Sequence, residues 1–213
     1  MPEGSADLLV LTQWLSPAFP VSGYAYSHGL ETAIAEGAVR SAEAVEGWVR
    51  DTLTLGAGRA DAILLAAAHR GEDPDALAQT ARALAASAER WQETEALGRA
   101  FAATLSRMEG GTHPARPYPV AVGVAARRLS LATETVCALY LHAFAATLVG
   151  AAVRFVPLGQ SEGQRILSAL HPDIIEIAGT AAATPVAAIA TSVPGGDLAA
   201  MQHETLETRI FRT

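Results

Sequence analysis

The chain has 213 residues, of which 50% are hydrophobic and only 17% charged, and its formal net charge is −7. That balance describes a folded chain with a substantial core and excludes a disordered one. It also argues against a nucleic-acid binder, because phosphate affinity comes from clustered Lys and Arg. The single cysteine, Cys137, leaves no intrachain disulfide. The start, MPEGSADLL, has neither a basic region nor a long apolar run, so a cytoplasmic protein is expected.

Residues 5–15 (SADLLVLTQWL) are predicted to be helical, with Ser5 or Asp7 as cap and Leu8, Leu11 and Leu15 at helical spacing. Ser16-Pro17 and Phe19-Pro20 end that helix, since proline disfavours helical geometry in the residue before it. The segment 16–31, SPAFPVSGYAYSHGLE, holds more Pro, Gly and aromatic residues than a connector requires. Ser27 is placed to cap a second helix running to Glu36, with Gly37 as its stop. Ser41 opens a third, with Val45, Trp48, Val49, Thr52 and Leu53 on one face. Gly56 and Gly58 interrupt a pattern that continues through Ile63, Leu64, Ala67 and Ala68 to His69, which predicts a kink or a close helix contact. Asp73-Pro74 is a restart, a capping residue followed by proline at the first helical position. Leu77, Leu84 and Trp91 extend that face, and Leu97, Phe101, Leu105 and Met108 mark a further helix or its continuation. Residues 110–119 (GGTHPARPYP) form the one obvious long loop.

Residues 120–129 and 133–155 read as helices, with Ser130 or Thr133 as the cap between them. The stretch 136–156, VCALYLHAFAATLVGAAVRFV, is the most apolar in the chain. A helix of that length rises on the order of 30 Å, about the thickness of a bilayer core. Its strong insertion drivers total only about −2 to −4 kcal/mol, and arginines flank both ends, so a buried central helix is expected in place of a membrane span. After it, Pro157-Leu158-Gly159 breaks the chain. Gly159 is expected to permit a tight turn, and Gln160 or Ser161 to cap a helix over 160–170. Gln164 and Arg165, in the first turn, are expected to organise that end of the bundle. Residues 173–190 predict one or two buried helices jointed at Thr184-Pro185, and 192–196 a linker into a polar final segment. Strand-like alternation is absent. The fold class expected is all-α: a compact single-domain bundle of many short helices around a buried central helix, spanning 1–213.

Motifs that carry chemistry are sparse. Gly56-Ala57-Gly58 lacks the Gly-Lys-Ser/Thr ending of a phosphate loop, and no G-x-S-x-G elbow exists. His203-Glu204-Thr205-Leu206-Glu207 approaches H-E-x-x-H with Glu207 in the second ligand position. On a helix, His203 and Glu207 share a face, which frames an alternative function: a metal-dependent hydrolase using His203, Glu204 and Glu207. A third ligand and a cleft are then required; the plainer reading is the polar face of a terminal helix. Of the six histidines, His142 is expected to be a hydrogen-bonded core residue, and His69 and His171 to sit at helix ends where an imidazolium favours the dipole. No catalytic, cofactor-binding or metal-ligating residue is assigned. Two aromatic clusters are left. Trp14, Phe19, Tyr24 and Tyr26 are expected to pack as core, whereas the apolar and Arg-rich finish IFRT suits a docking segment.

Three stretches, TQWLSPAFPVSGYAYSHGLE, VRFVPLGQSEGQRIL and MQHETLETRIFRT, resemble in order and spacing the urease accessory protein UreF family, over residues 8–213. The most specific matches are Pro157-Leu158-Gly159-Gln160, Gly163-Gln164-Arg165, and His203-Glu204 with Arg209, Phe211 and Arg212. Ser22 departs from the family, standing where it commonly has the first Gly of a Gly-Gly pair. Leu206 and Glu207 also depart, replacing a Gln and an aromatic residue. The resemblance implies an all-α, non-enzymatic protein that forms a homodimer and binds the accessory protein UreD (UreH) and the GTPase UreG. That assembly docks on urease apoprotein, helps deliver nickel, and modulates GTP hydrolysis by UreG. It implies no permanently bound cofactor, no membrane and no nucleic acid. Candidate partner-binding residues are Tyr24, Tyr26, Gln164, Arg165, His203, Glu204, Arg209, Phe211 and Arg212, with 197–213 as a docking tail.

Overall fold

The computed structural model describes residues 4–212. Eleven α-helices follow one another among them: α1 (Ser5–Leu15), α2 (Leu30–Ala35), α3 (Ala42–Thr54), α4 (Ala57–Arg70), α5 (Pro74–Ala83), α6 (Ala88–Glu109), α7 (Tyr118–Ala126), α8 (Thr133–Phe155), α9 (Gln160–Ala169), α10 (His171–Ala183) and α11 (Pro194–His203). Short 3₁₀ turns lie at Gly23–Ala25 and Val186–Ala188, and the described residues include no strand. The expected all-α fold is the one observed.

Two helices hold the bundle together. The long apolar helix α8 touches α1, α2, α3, α4, α9 and α10. Half of its most apolar stretch is buried, and it is the one helix among the described residues long and apolar enough to cross a membrane by length and composition. Helix α4 is enclosed more fully, because residues 60–68 are all buried between α7, α8 and α10. Its alanines let neighbours approach closely. A Cβ on Gly123 of α7 would lie 2.4 Å from the Leu65 carbonyl oxygen, so these two helices meet backbone to backbone. The expected interruption at Gly56 and Gly58 is a full break between α3 and α4, where a Cβ on Gly58 would press on Leu53.

The N-terminal aromatic segment belongs largely to this core. Trp14 meets Phe101 edge-on at 5.8 Å between ring centroids, and Phe19 reaches the same ring at 5.7 Å. Tyr26 is buried as well, while Tyr24 is 61% exposed. Ser22 has a left-handed backbone (φ 63°), a conformation in which glycine avoids the Cβ clash.

Several predicted caps differ from those observed. Ser41 and Asp73 accept backbone N–H bonds as expected, whereas the N-cap of α2 is Gly29 and not Ser27, which accepts the Glu31 N–H at 3.3 Å from two residues before it. For α1 the N-cap is Gly4, and Asp7 instead accepts the Ser130 N–H at 2.8 Å, tying α1 to the loop before α8. Thr133 does not cap α8; its hydroxyl meets His69 Nδ1 at 2.9 Å. His69 stands in the last turn of α4, the helix end expected for it, and burial pulls it below its ordinary pKa, with Arg127 adding to the effect and a hydrogen bond to the Ala126 backbone opposing it. His171 directly follows the C-cap of α9, as read, and at the same time opens α10. His142 is half-buried, not core, and its ring lies 5.5 Å from that of His171. Helix α10 is only half-buried, with Ile175 68% exposed. Pro194 begins α11 and is not part of a linker.

The turn at Pro157–Gly159 needs no glycine. Gly159 has φ −75° and ψ 157°, ordinary extended backbone, and a Cβ there meets nothing within 4 Å. No side chain caps α9, and Gln164 and Arg165 are exposed, with Arg165 paired to Glu162 of its own helix. Gly163 is the glycine that packing demands, since its Cβ would lie 2.8 Å from Val153 Cγ2 on α8. Accordingly, Gly159→Ser is expected to leave stability within about 0.5 kcal/mol or raise it slightly, because serine is a good N-cap. Gly123→Ala should cost about 1–3 kcal/mol by overpacking α4 against α7. Urea denaturation of the two variants checks both.

Candidate functional site

The site starts from a loop. Residues His28 (φ 53°) and Gly29 (φ 74°) both take left-handed backbone just before α2. Without a side chain, Gly29 lets α11 approach so closely that a Cβ would lie 2.7 Å from the Ala200 backbone nitrogen. Helix α11 therefore rests on α2 and α6. One turn on from Ala200, His203 is brought against Glu31, two residues beyond Gly29.

His203 is fully buried, and each ring nitrogen faces a carboxylate. Nδ1 lies 2.7 Å from Glu89 Oε2 at the start of α6, and Nε2 lies 3.0 Å from Glu31 Oε2 on α2. The next residue, Glu204, reaches across to the N-terminus of α6, where Oε1 accepts the Ala88 N–H at 2.8 Å. It thereby satisfies a donor that the helix itself leaves open, beside Ser87, the helix's own cap.

The rest of the tail is tied to the same two glutamates. Arg209 donates to Glu89 Oε1. The N–H groups of Ile210 and Phe211 donate to Glu31 Oε1 and Oε2 at 2.8 and 3.0 Å. Burial opposes ionisation of Glu31, but the Phe211 N–H, the His203 ring and the Ile210 N–H together outweigh it and hold its carboxyl below the ordinary range. The Arg212 N–H donates to the Ala25 carbonyl at 2.8 Å, joining the chain end to the aromatic segment. Phe211 is buried, its ring 5.2 Å from that of Phe155 at the end of α8.

Thus the structure brings together Tyr24, Tyr26, His203, Glu204, Arg209, Phe211 and Arg212 at one junction, but with different exposures. Phe211 and Tyr26 fill the chain's own core, and His203 is enclosed by it. Outward lie Tyr24, Ile210 (70% exposed) and Arg212, with Arg154 of α8 directed at the Tyr24 carbonyl. Gln164 and Arg165 stand apart, on the exposed face of α9.

The geometry removes the premise of the hydrolase alternative. Helix α11 ends at His203, so Glu207 does not share a helix face with it. Both His203 nitrogens are occupied by carboxylates and Glu204 is used as a cap. Among the described residues no group of three or more His, Cys, Asp or Glu is arranged to hold a metal ion. Burial pushes the Cys137 thiol up to about 12, which makes it an inert core residue.

Sequence reasoning missed Glu31 and Glu89, and with them a second polar assembly behind the junction. Arg90 of α6 bonds Asp61 of α4 at 2.7 Å, and the Tyr140 hydroxyl of α8 donates to the same carboxylate at 2.8 Å. Glu93 lies 3.5 Å from Arg90 and 2.9 Å from His28 Nε2. Asp61 stands alone among the alanines of α4, and an isolated acid on an apolar helix was the available signal.

Fold and junction define the class: an all-helical protein whose chain end is folded back and locked, leaving an aromatic and arginine surface beside it. The model of the UreF family matches residues 39–171. The chain is 62% identical over 209 residues to the urease accessory protein UreF of Cereibacter sphaeroides (strain KD131 / KCTC 12085), covering 98% of this chain and 100% of that one. It is 54% identical over 220 residues to its counterpart in Jannaschia sp. (strain CCS1), covering 100% of both. Identity to the one from Paracoccus denitrificans (strain Pd 1222) is 46% over 209 residues, covering 98% of this chain and 97% of that one. The chain belongs to the UreF family of urease accessory proteins.

Because Phe211 is core, deleting residues 209–213 should lower the melting temperature, in contrast to the usual tolerance of chain ends. Phe211→Ala alone is expected to cost up to about 3 kcal/mol. Thermal unfolding of both variants tests this; unchanged melting would show that the tail is not docked in solution.

Proposed function

We propose that this chain is a non-enzymatic scaffold in urease maturation. It binds UreD (UreH) and the GTPase UreG in the cytoplasm, and the assembly docks on urease apoprotein to deliver nickel. Nickel is cargo in this reading, not a resident cofactor, and the assembly modulates GTP hydrolysis by UreG. Family membership supports the setting. The observation that carries the reading is the junction, where Tyr24, Ile210, Arg154 and Arg212 stand outward over a core of Phe155 and Phe211. Aromatic, apolar and arginine side chains on a rigid base are the composition of an interface centre. Phe211 acts as the base of that surface and not as the anchor itself.

Arg212→Ala and Ile210→Asp are expected to weaken UreD binding roughly thirtyfold each, about 2 kcal/mol, while leaving the melting temperature in place. A pull-down with separately expressed UreD and UreG, followed by titration calorimetry, measures this. Full affinity in both variants would remove the junction from the interface.

The homodimer is proposed through the face shared by α8 and α10. Leu139, Ala143, Ala146 and Gly150 line one side of α8 at helical spacing and are half-buried or exposed. Ile175 of α10 lies one turn past His171, the ring beside His142 of that α8 stripe. Small side chains let a second copy approach, and a two-fold dimer is the commonest assembly. Ala143→Glu should convert a dimer into a monomer in sedimentation at micromolar concentration. A monomeric wild type, with and without UreD, would count against the dimer.

A further inference from the structure

The two carboxylates around His203 define its protonation. Glu89 receives Arg209 on Oε1 and the His203 ring on Oε2. Glu31 receives the Ile210 N–H on Oε1, and both the Phe211 N–H and the His203 ring on Oε2. Every partner of either carboxyl other than the ring is a donor, so both glutamates serve as ionised acceptors. A neutral imidazole has one N–H and one lone pair, and the lone pair would face a carboxylate at about hydrogen-bond distance. Only the imidazolium donates in both directions.

We infer that His203 is held as an imidazolium and acts as the pin of a latch: while it carries both protons the tail 204–212 stays docked, and loss of one proton releases the tail. The two glutamates that grip the ring are the same two that grip Arg209, Ile210 and Phe211. A lone pair turned against Glu31 or Glu89 therefore loosens their shared geometry. The charged groups around the ring are Glu31 from α2, Glu89 from α6, and Arg209 from the tail, which competes with the ring for Glu89. Further along α6 stand Arg90 and Glu93, the latter with His28, and these are engaged with each other and with Asp61. Glu204 is occupied at the α6 N-terminus.

An imidazolium donates to both carboxylates and a neutral ring to only one, so proton loss from the ring removes one of the two bonds at the pin. Glu31 acts oppositely: held below the ordinary carboxylate range, it supports docking above that range and ceases to do so as pH falls through its lowered value. Docking is thereby confined to a window with an acid and an alkaline edge. The inference concerns how the tail is held and stands apart from which partner the junction takes.

Nitrogen-15 NMR of the His203 ring, with hydrogen exchange of the tail amides on the same full-length chain, tests it. Near pH 6.5 both ring nitrogens should show protonated shifts. As pH rises, the loss of one proton should coincide with a rise of about tenfold or more in intrinsic-rate-corrected exchange at residues 210–212. Amides of α4 and α8 should keep their protection across that range. In His203→Gln, whose amide cannot donate to carboxylates on both sides, the tail should exchange as the deprotonated wild type does, without the alkaline transition. A neutral-tautomer pattern near pH 6.5 with the tail protected would overturn the inference. So would deprotonation that leaves tail exchange unchanged. Should the glutamine variant fail to fold, the wild-type titration decides alone.

Discussion

A charge removed from water must meet a partner, and the first two turns of α6 carry three such charges. Glu89, Arg90 and Glu93 lie within five residues of one another and are almost wholly enclosed. Each is answered by a different part of the chain: Glu89 by His203 and Arg209, Arg90 by Asp61, Glu93 by His28 and Arg90. The N-terminus of this helix is itself closed by Glu204 from the far end of the sequence. Removing one member of such a set leaves an uncompensated buried charge, which costs far more than a surface pair contributes. Residues 203–212 are thus bound into the fold by electrostatics that a local reading of the tail does not contain.

Close helix contact is the second constraint and works through small residues. Alanines along α4 and the glycines at 29 and 123 bring backbones within reach of one another, and Gly163 makes room for Val149 and Val153 of α8. At Gly29 this has a consequence for the site, because the seating of α11 sets the position of His203. A larger residue at 29 would be strained by its positive φ and would also strike the Ala200 backbone. Geometry in the loop before α2 and chemistry at the chain end are one problem, solved by a single glycine.

The same arrangement explains why an aromatic-rich N-terminal segment and an arginine-rich C-terminus occur in one chain. Trp14, Phe19 and Tyr26 turn inward, and Phe211 is buried against Phe155. Tyr24, Ile210 and Arg212 are left on the outside, held by backbone bonds that do not consume their side chains. A surface built this way keeps its anchors free while its backbone is fixed, which lowers the ordering cost of binding.

The sequence by itself determined the helices. Period-3.6 apolar spacing, prolines at 17, 20 and 74, and capping residues such as Ser41 and Asp73 act over one or two turns, so their effects are legible locally. The bounds of α8 came out at Thr133–Phe155 as read, and the matched segments of the UreF family pointed to the residues of the junction. What the sequence could not decide was orientation and pairing across long separations. Whether Phe211 points inward depends on Phe155, and whether His203 is a surface residue depends on Glu31 and Glu89, 172 and 114 positions away. Gly159 misled because a glycine two residues after a proline suggests a turn, yet its backbone is extended, and of the two glycines here it is Gly163 that is pressed by a neighbour. Asp7 and Thr133 were read as caps because capping is the local use of such side chains, whereas tertiary packing gave them partners on other elements. Local propensity sets which segments become helices; burial of charge and the approach of backbones, which exist only once the helices pack, decide what each end of the chain touches.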